Sequence, residues 1–326
     1  MEKNMTTSFE WSSFSDADKQ FFRSLKAVFV MAPREMSDSR LLQLVKENLS
    51  KGNVVFGVAE EEFVDGFEGQ IQFKTLPVIP VQTLADKIRK SGIKNRLYVL
   101  TYLQKDIDAV VRAIRPREVV IVRGSYMYPF HRGSTCALLE KRNILYEYVS
   151  PFVDEAEVVE YYELRKPQEE LTPGYVTKGD EKQMMQAVMQ AAKMSYDYSF
   201  QTGAVLAEST GGVYKIIDTA CNEVVPYQTY ALHFGNARET HRSEHQGDAS
   251  HYDTIHAEMN LLVRAMKNGV SFEGKTLFIN MMPCPNCART LAKSGLHEVV
   301  YRLLHSGGYA VEMLQKSGIK TRKVEL

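Results

Sequence analysis

The stretch "TIHAEMNLLVRAMKN" (residues 254–268) reads as an amphipathic helix with two misfits at its head. Met259, Leu262, Val263 and Met266 recur at i, i+3, i+4 and i+7, the face expected to pack on a core. His256 and Glu258 stand two positions apart, about 200° around a helix axis, so they cannot both point into that core. Something local must want both. Further on, "KTLFINM" (275–281) is a run of strand type, and "PCPNCA" (283–288) opens another helix that Gly295 closes.

The chain has four cysteines, Cys136, Cys221, Cys284 and Cys287, and the last two form a Cys-x-x-Cys pair. In a reducing compartment that spacing points to metal or redox chemistry rather than a disulfide framework, and a metal is the first expectation. Cys136 and Cys221 read as small buried residues. Thiolates at the start of a helix gain from its positive end and its unpaired amides. One imidazole, His256, and two thiolates, Cys284 and Cys287, make three protein ligands for zinc, the count of a catalytic site that keeps a fourth position for water. Glu258 reaches that water more easily than the metal, which suits a proton carrier.

His-x-Glu followed by Pro-Cys-x-x-Cys is the signature of zinc-dependent base deaminases. "HAEMN" and "PCPNCA" resemble the cytidine and deoxycytidylate deaminase superfamily, over roughly residues 180–326. The order of elements agrees: helix, two strands, the His-bearing helix, strand, the Cys-bearing helix, then strand, helix, strand. A helical crossover between the last two strands implies that they run parallel, as in the deoxycytidylate and tRNA adenosine deaminases. The expected fold here is a cytidine-deaminase-like three-layer α/β/α domain.

The resemblance implies zinc-dependent hydrolytic deamination of a cytosine-type nucleotide, deoxycytidylate-like, to its uracil form with release of ammonia. Glu258 would move the protons. The Ala257 amide would contact the pyrimidine carbonyl, the Pro283 carbonyl would lie near the departing amine, and Asn222 would hold the sugar. Where deoxycytidylate deaminases usually carry a basic pair, "YSFQTGAV" (198–205) has Phe200 and Gln201, so the phosphate contact is expected from Arg238 and Arg242 instead. Those arginines share a long polar loop with His233, His241, His245 and His251, read as a substrate lid, a second metal site or a solvated loop. The glycine-flanked asparagine tied to triphosphate regulation is absent, and a homo-oligomer is implied by the resemblance alone. Two other readings stay open. A deaminase of a base within RNA or DNA would need a basic groove, and a non-catalytic nucleotide-sensing protein would have no use for Glu258.

The first half alternates short apolar strands with helices: "LKAVFVMAP" (25–33), "NVVFGVA" (53–59), "RLYVLTYL" (96–103), "EVVIVRG" (118–124) and "YEYVS" (146–150) are strands. That is the pattern of a Rossmann-like, mostly parallel α/β domain, here over residues 16–153 after a polar tail at 1–15. Its role is left open. The loop "VRGSYMYPFHRGS" (122–134), with Arg123, His131 and Arg132, is either a phosphate cradle or an ordinary strand-to-helix loop. An acidic stretch at 154–178 reads as a linker and the deaminase-like domain as 179–326.

With 40 basic and 40 acidic side chains among 326 residues, the net charge is zero and offers duplex DNA no general attraction. A small-molecule nucleotide or nucleoside is the expected partner. The start lacks a secretory pattern and no stretch nears the roughly 18 apolar residues of a membrane span, so a cytoplasmic protein is expected.

Overall fold

Val28–Met31 is buried at every position, as a strand must be when helices cover both faces of its sheet. In the computed structural model, which describes residues 6–125, 134–166, 177–240 and 253–325, the chain divides into two units. One comprises residues 1–165 with Leu232–Gly235, the other the remainder.

The first unit runs Ser8–Glu10 (β1), Asp16–Leu25 (α1), Val28–Met31 (β2), Asp38–Lys51 (α2), Val54–Ala59 (β3), Val78–Lys90 (α3), Leu97–Tyr102 (β4), Ile107–Ile114 (α4), Glu118–Val122 (β5), Ser134–Lys141 (α5), Leu145–Val149 (β6) and Glu155–Arg165 (α6). Its six strands lie in the order β1-β4-β3-β2-β5-β6, and all pair in parallel. Alternate residues face opposite layers. Val28, Val30, Phe56 and Val120 pack with Leu41 and Leu44 of α2 and Val81 of α3, while Phe29, Met31, Val119 and Ile121 pack with Phe22 of α1 and Val110 and Val111 of α4. This is a doubly wound sheet.

Two segments depart from the sequence reading. Within the stretch read as a polar tail, β1 pairs with β4, held by Phe9, whose ring lies 4.9 Å from that of Phe22 and 6.3 Å from that of Tyr98. A three-residue strand is too short for its periodicity to show. Within the stretch read as a linker, Glu155–Arg165 is helical, and Tyr161 donates a 2.6 Å hydrogen bond to the Gln72 carbonyl.

The second unit contains Lys178–Gly179 (β7), Glu181–Ala192 (α7), Gly203–Thr210 (β8), Val213–Cys221 (β9), Glu223–Val224 (β10), Ala237–Thr240 (α9), Thr254–Ile255 (β11), Ala257–Lys267 (α10), Thr276–Met281 (β12), Pro285–Leu291 (α11), Glu298–Leu303 (β13), Tyr309–Lys316 (α12) and Lys320–Lys323 (β14). Tyr230–Phe234 (α8) precedes α9, and its Leu232–Phe234 belong to the first unit. The main sheet has the order β14-β13-β12-β8-β9-β7; β12, β13 and β14 run parallel, and β8 is antiparallel to β12 and β9. On one face Met184, Met185 and Val188 of α7 pack on Val205, Ala207 and Phe278. The other face of β8, Ala204 and Leu206, meets α10, α11 and α12 through Leu261, Leu291 and Leu314. Three layers result, as expected.

The face of α10 corrects the sequence reading. Its buried positions are Ala257, Glu258, Asn260, Leu261 and Ala265, whereas Val263 and Met266 are exposed and Met259 and Leu262 only partly buried. Half of the apolar stripe, Met259 and Leu262, packs along the edge of the core, while Val263 and Met266 face outward, and small and polar side chains occupy the innermost positions.

Gly203 opens β8 against the last turn of α7, and a Cβ there would run into the Val188 carbonyl and the Ala192 amide. Because both are backbone, no rotamer change relieves the overlap. Gly203→Ala is expected to cost about 3 kcal/mol of stability, read from denaturant unfolding; a cost below about 0.5 kcal/mol would mean that α7 shifts freely on the sheet.

Candidate metal centre

His256 is not inside the helix that follows it. It is the residue before the first turn, with φ −66° and ψ 148°, and α10 begins at Ala257. The extended backbone removes the 200° separation expected for two helical residues. Both side chains therefore serve one site: His256 Nδ1 and Glu258 Oε1 lie 4.0 Å apart.

Cys284 likewise precedes the first turn of α11, with Pro285 as the first helical residue, where its missing N–H costs nothing, and Cys287 two places later. Strand β12 delivers this corner beside His256. Cys284 Sγ lies 3.6 Å and Cys287 Sγ 3.4 Å from His256 Nδ1. A tetrahedral zinc with ordinary Zn–S and Zn–N bonds separates such atoms by about 3.6 Å. Among the described residues these three form the one group of histidine, cysteine or acidic side chains able to hold a metal, with ligand atoms within 4.8 Å of one another. The donor set fits zinc, with three protein ligands and an open fourth position.

Glu258 is 2% exposed. Burial raises its carboxyl above the usual range, an effect opposed by His256. The two thiols share one proton. Cys284 is pulled down to about 3 by the hydrogen bond from Cys287, with help from His256, and Cys287 is pushed up as the donor to that thiolate. His256 is raised through its hydrogen bond with Cys284. The metal-free site is thus an ion-paired cluster whose protons a cation must displace. Zinc loading at neutral pH is expected to release roughly one to two protons, from the Cys287 thiol and the charged fraction of His256, and affinity to fall as pH is lowered. Calorimetry in buffers of different ionisation enthalpy counts them, and zinc binding without proton release would contradict this protonation pattern.

Asn222 follows β9 and is 5% exposed. Its Oδ1 accepts from the Thr202 amide at 2.7 Å, and its Nδ2 donates to the Phe200 carbonyl at 2.9 Å and to Asp197 Oδ2 at 3.2 Å. With both donors spent, what remains for a ligand is a lone pair on Oδ1. Ala257 is the fully buried first residue of α10, and Pro283 is buried beside Cys284. The side chain of Arg238, and Arg242 altogether, lie outside the described residues, as do His241, His245, His251, His131 and Arg132. His233 is placed in the first unit, with Nδ1 2.7 Å from Ser150 Oγ. Cys136 and Cys221 are buried and not disulfide-bonded, the second pushed up to about 12 by burial.

Three side chains unremarked in the sequence hold this frame. Asp197 accepts from Asn222 and from Thr254 Oγ1 at 2.9 Å, tying β9 to the strand before His256. Asn260 donates to the Cys221 carbonyl at 3.0 Å, and Asn280 accepts from the Gly203 amide while donating to the Gln201 carbonyl. Asn260 and Asn280 are polar residues at inward positions of a helix and a strand, the signal that could have marked them.

Residues 178–303 match the cytidine and deoxycytidylate deaminase zinc-binding region. Deoxycytidylate deaminase of enterobacteria phage T2 is 44% identical over 61 residues, which is 19% of this chain and 32% of the relative. The human deoxycytidylate deaminase is 24% identical over 116 residues, 34% of this chain and 57% of the relative. The chain thus spans about a third to somewhat over half the length of these two curated relatives. Among solved structures, dCMP deaminase from the cyanophage S-TIM5, in complex with dCMP and dUMP, aligns with 44% of this chain and 96% of its own, at 21% identity and a TM-score of 0.33. No helix among the described residues is long and apolar enough to cross a membrane.

Proposed function

We propose that the second unit, which carries the cytidine and deoxycytidylate deaminase zinc-binding region, is a zinc-dependent hydrolytic deaminase of a cytosine-type nucleotide, with His256, Cys284 and Cys287 as ligands and Glu258 as proton carrier. The observation that carries this reading is the buried Glu258 carboxylate beside a His-Cys-Cys group at tetrahedral spacing. A bound zinc would supply Lewis acidity and bring the pKa of a coordinated water near 7.

The chain's own groups then account for the protons. Deamination adds water across the amino-bearing carbon and expels ammonia, so one proton must reach the ring nitrogen and another the departing amine. Glu258, its carboxyl raised by burial, takes up a proton from water and gives it back. Its position two residues into α10 puts its Oε1 4.0 Å from His256 Nδ1, from where it would reach a water held by a metal on His256. In this reading the Pro283 carbonyl, next to Cys284, accepts from the amine, and the Ala257 amide donates to the pyrimidine carbonyl. Asn222, both donors spent, can accept from a sugar hydroxyl. Arg238 and Arg242 are the proposed phosphate contacts.

The test is ammonia release, with zinc content measured in parallel, from cytidine, deoxycytidine, their mono- and triphosphates and cytosine-containing oligonucleotides. A monophosphate preference is the expected result. Turnover confined to oligonucleotides would replace this reading with a nucleic-acid deaminase, and silence from stoichiometrically loaded protein would favour nucleotide binding without turnover.

A further inference from the structure

Arg34 is fully buried, and among the described residues no carboxylate lies within ion-pair distance of it. The nearest acid in sequence, Glu35, is held by Arg165 at 2.8 Å. The guanidinium instead donates to the Glu35 and Gln72 carbonyls and to Tyr161 Oη, each at 3.0 Å, and lies 5.2 to 5.9 Å from the ring centres of Tyr161, Phe73 and Phe152. Carbonyls and π faces soften the charge without cancelling it. A buried cation left in this state is costly unless an anion completes it.

Two further groups mark where that anion belongs. Arg34 Nε has no hydrogen-bond partner, and neither has Ser125 Oγ, although Ser125 is 1% exposed. Both sit at Gly124, whose φ of +77° and missing Cβ let the arginine lie against the backbone: a Cβ there would fall 2.7 Å from Arg34 Cδ and 2.9 Å from Nε. Buried polar atoms without partners are rare enough to need an explanation, and here one lies against Gly124 and the other belongs to the residue that follows it.

Their place in the fold supplies it. Arg34 lies just past the end of β2, and Gly124 and Ser125 just past the end of β5. These strands are neighbours, and between them the strand order reverses: β3 and β4 build outward on one side, β5 and β6 on the other. In open parallel sheets, ligands bind at the carboxyl ends of the strands at this switch point. Nearby, Arg40 Nε donates to the Ser150 carbonyl and Arg123 to the His233 carbonyl, so further positive charge borders the spot.

We propose that the first unit binds a phosphate group, on a nucleotide or free, at this switch point, with Arg34 Nε and Ser125 Oγ as donors. Phosphate suits the site better than a single carboxylate, because its several oxygens can accept from the guanidinium and the hydroxyl at once. Leu232, fully buried and with Cδ2 2.8 Å from the same Cβ position, covers the spot, so entry displaces this side chain.

Isothermal titration of the full zinc-loaded chain with inorganic phosphate and with ATP tests this, alongside Ser125→Ala and Arg34→Met. Wild type is expected to bind at least one of the two, and a preference between them tells free phosphate from nucleotide. Arg34→Met should weaken binding roughly tenfold or more and Ser125→Ala several-fold. Ser125→Ala should melt near wild type, since it removes a hydroxyl that has no partner, whereas Arg34→Met also gives up three hydrogen bonds and should melt lower. A purely structural arginine would leave binding unaltered in the folded Arg34→Met protein. If Arg34→Met does not fold, Ser125→Ala decides. Absence of binding by wild type at millimolar phosphate and ATP, or affinity unchanged in the variants, overturns the proposal.

Discussion

Glu258→Gln is expected to keep its full complement of zinc and to lose turnover by a factor on the order of 10³ to 10⁴, the range typical of a positioned general acid–base group. Gln preserves the volume and hydrogen-bonding capacity of a side chain that is 2% exposed, so neither the helix start nor the ligand geometry has reason to change. What it removes is the ionisable carboxyl. Stability gives a second readout. Burial raises the folded-state pKa of Glu258 above its ordinary 4.5. Below that value both folded and unfolded chains hold the proton and no penalty exists. Above it the unfolded chain ionises first, so the residue costs stability as pH rises. The metal-free Gln variant should therefore melt no lower than wild type at neutral pH. A variant that is stable, zinc-loaded and inactive identifies a proton carrier, while full activity would remove Glu258 from the mechanism.

The same residue explains where the sequence misleads. Periodicity marks 259, 262, 263 and 266 as the inner face of α10, yet the helix turns Ala257, Leu261 and Ala265 inward with Glu258 and Asn260. An inner face that must carry an acid at the site and an amide clasping the Cys221 carbonyl cannot also be the most apolar one. Local pattern and tertiary placement disagree where function has taken the buried positions. The His-Cys-Cys group was legible because His-x-Glu and Pro-Cys-x-x-Cys each sit within a few residues of a helix start, so local sequence brings these side chains to the first turns of α10 and α11. Asp197 was not legible: it acts through Asn222 and Thr254, 25 and 57 residues away, a relation that only the paired strands create. The parallel core of the first unit was readable from runs such as Val28–Met31, whereas β1 hid in a polar stretch because Phe9 alone anchors it to the aromatic cluster. Arg34 carries no signal in sequence at all; its burial follows from the rings of Phe73, Phe152 and Tyr161, brought around it by separate loops and helices.

Cys284→Ala should abolish stoichiometric zinc binding and, with it, activity. Among the described residues His256, Cys284 and Cys287 form the group able to hold a metal, so losing one thiolate leaves two of its three donors. Cys284 is also the group that makes the cluster attractive to a cation before one arrives, since its thiol is held down to about 3 by the Cys287 hydrogen bond and by His256. Without it Cys287 has no thiolate to donate to, and two neutral or protonated donors remain. Zinc binding to the folded unit alone raises its stability by RT ln(1 + [Zn]/Kd), about 4 kcal/mol when free zinc is 1,000 times Kd. For a unit of this size that corresponds to about 10 °C in the melting temperature. Wild type should therefore show a zinc-dependent rise of that order, reversed by a chelator. Cys284→Ala should melt at one temperature with or without zinc, near that of chelated wild type. An undiminished rise in the variant would mean that the stabilising zinc sits elsewhere, and the His-Cys-Cys assignment would fall with it.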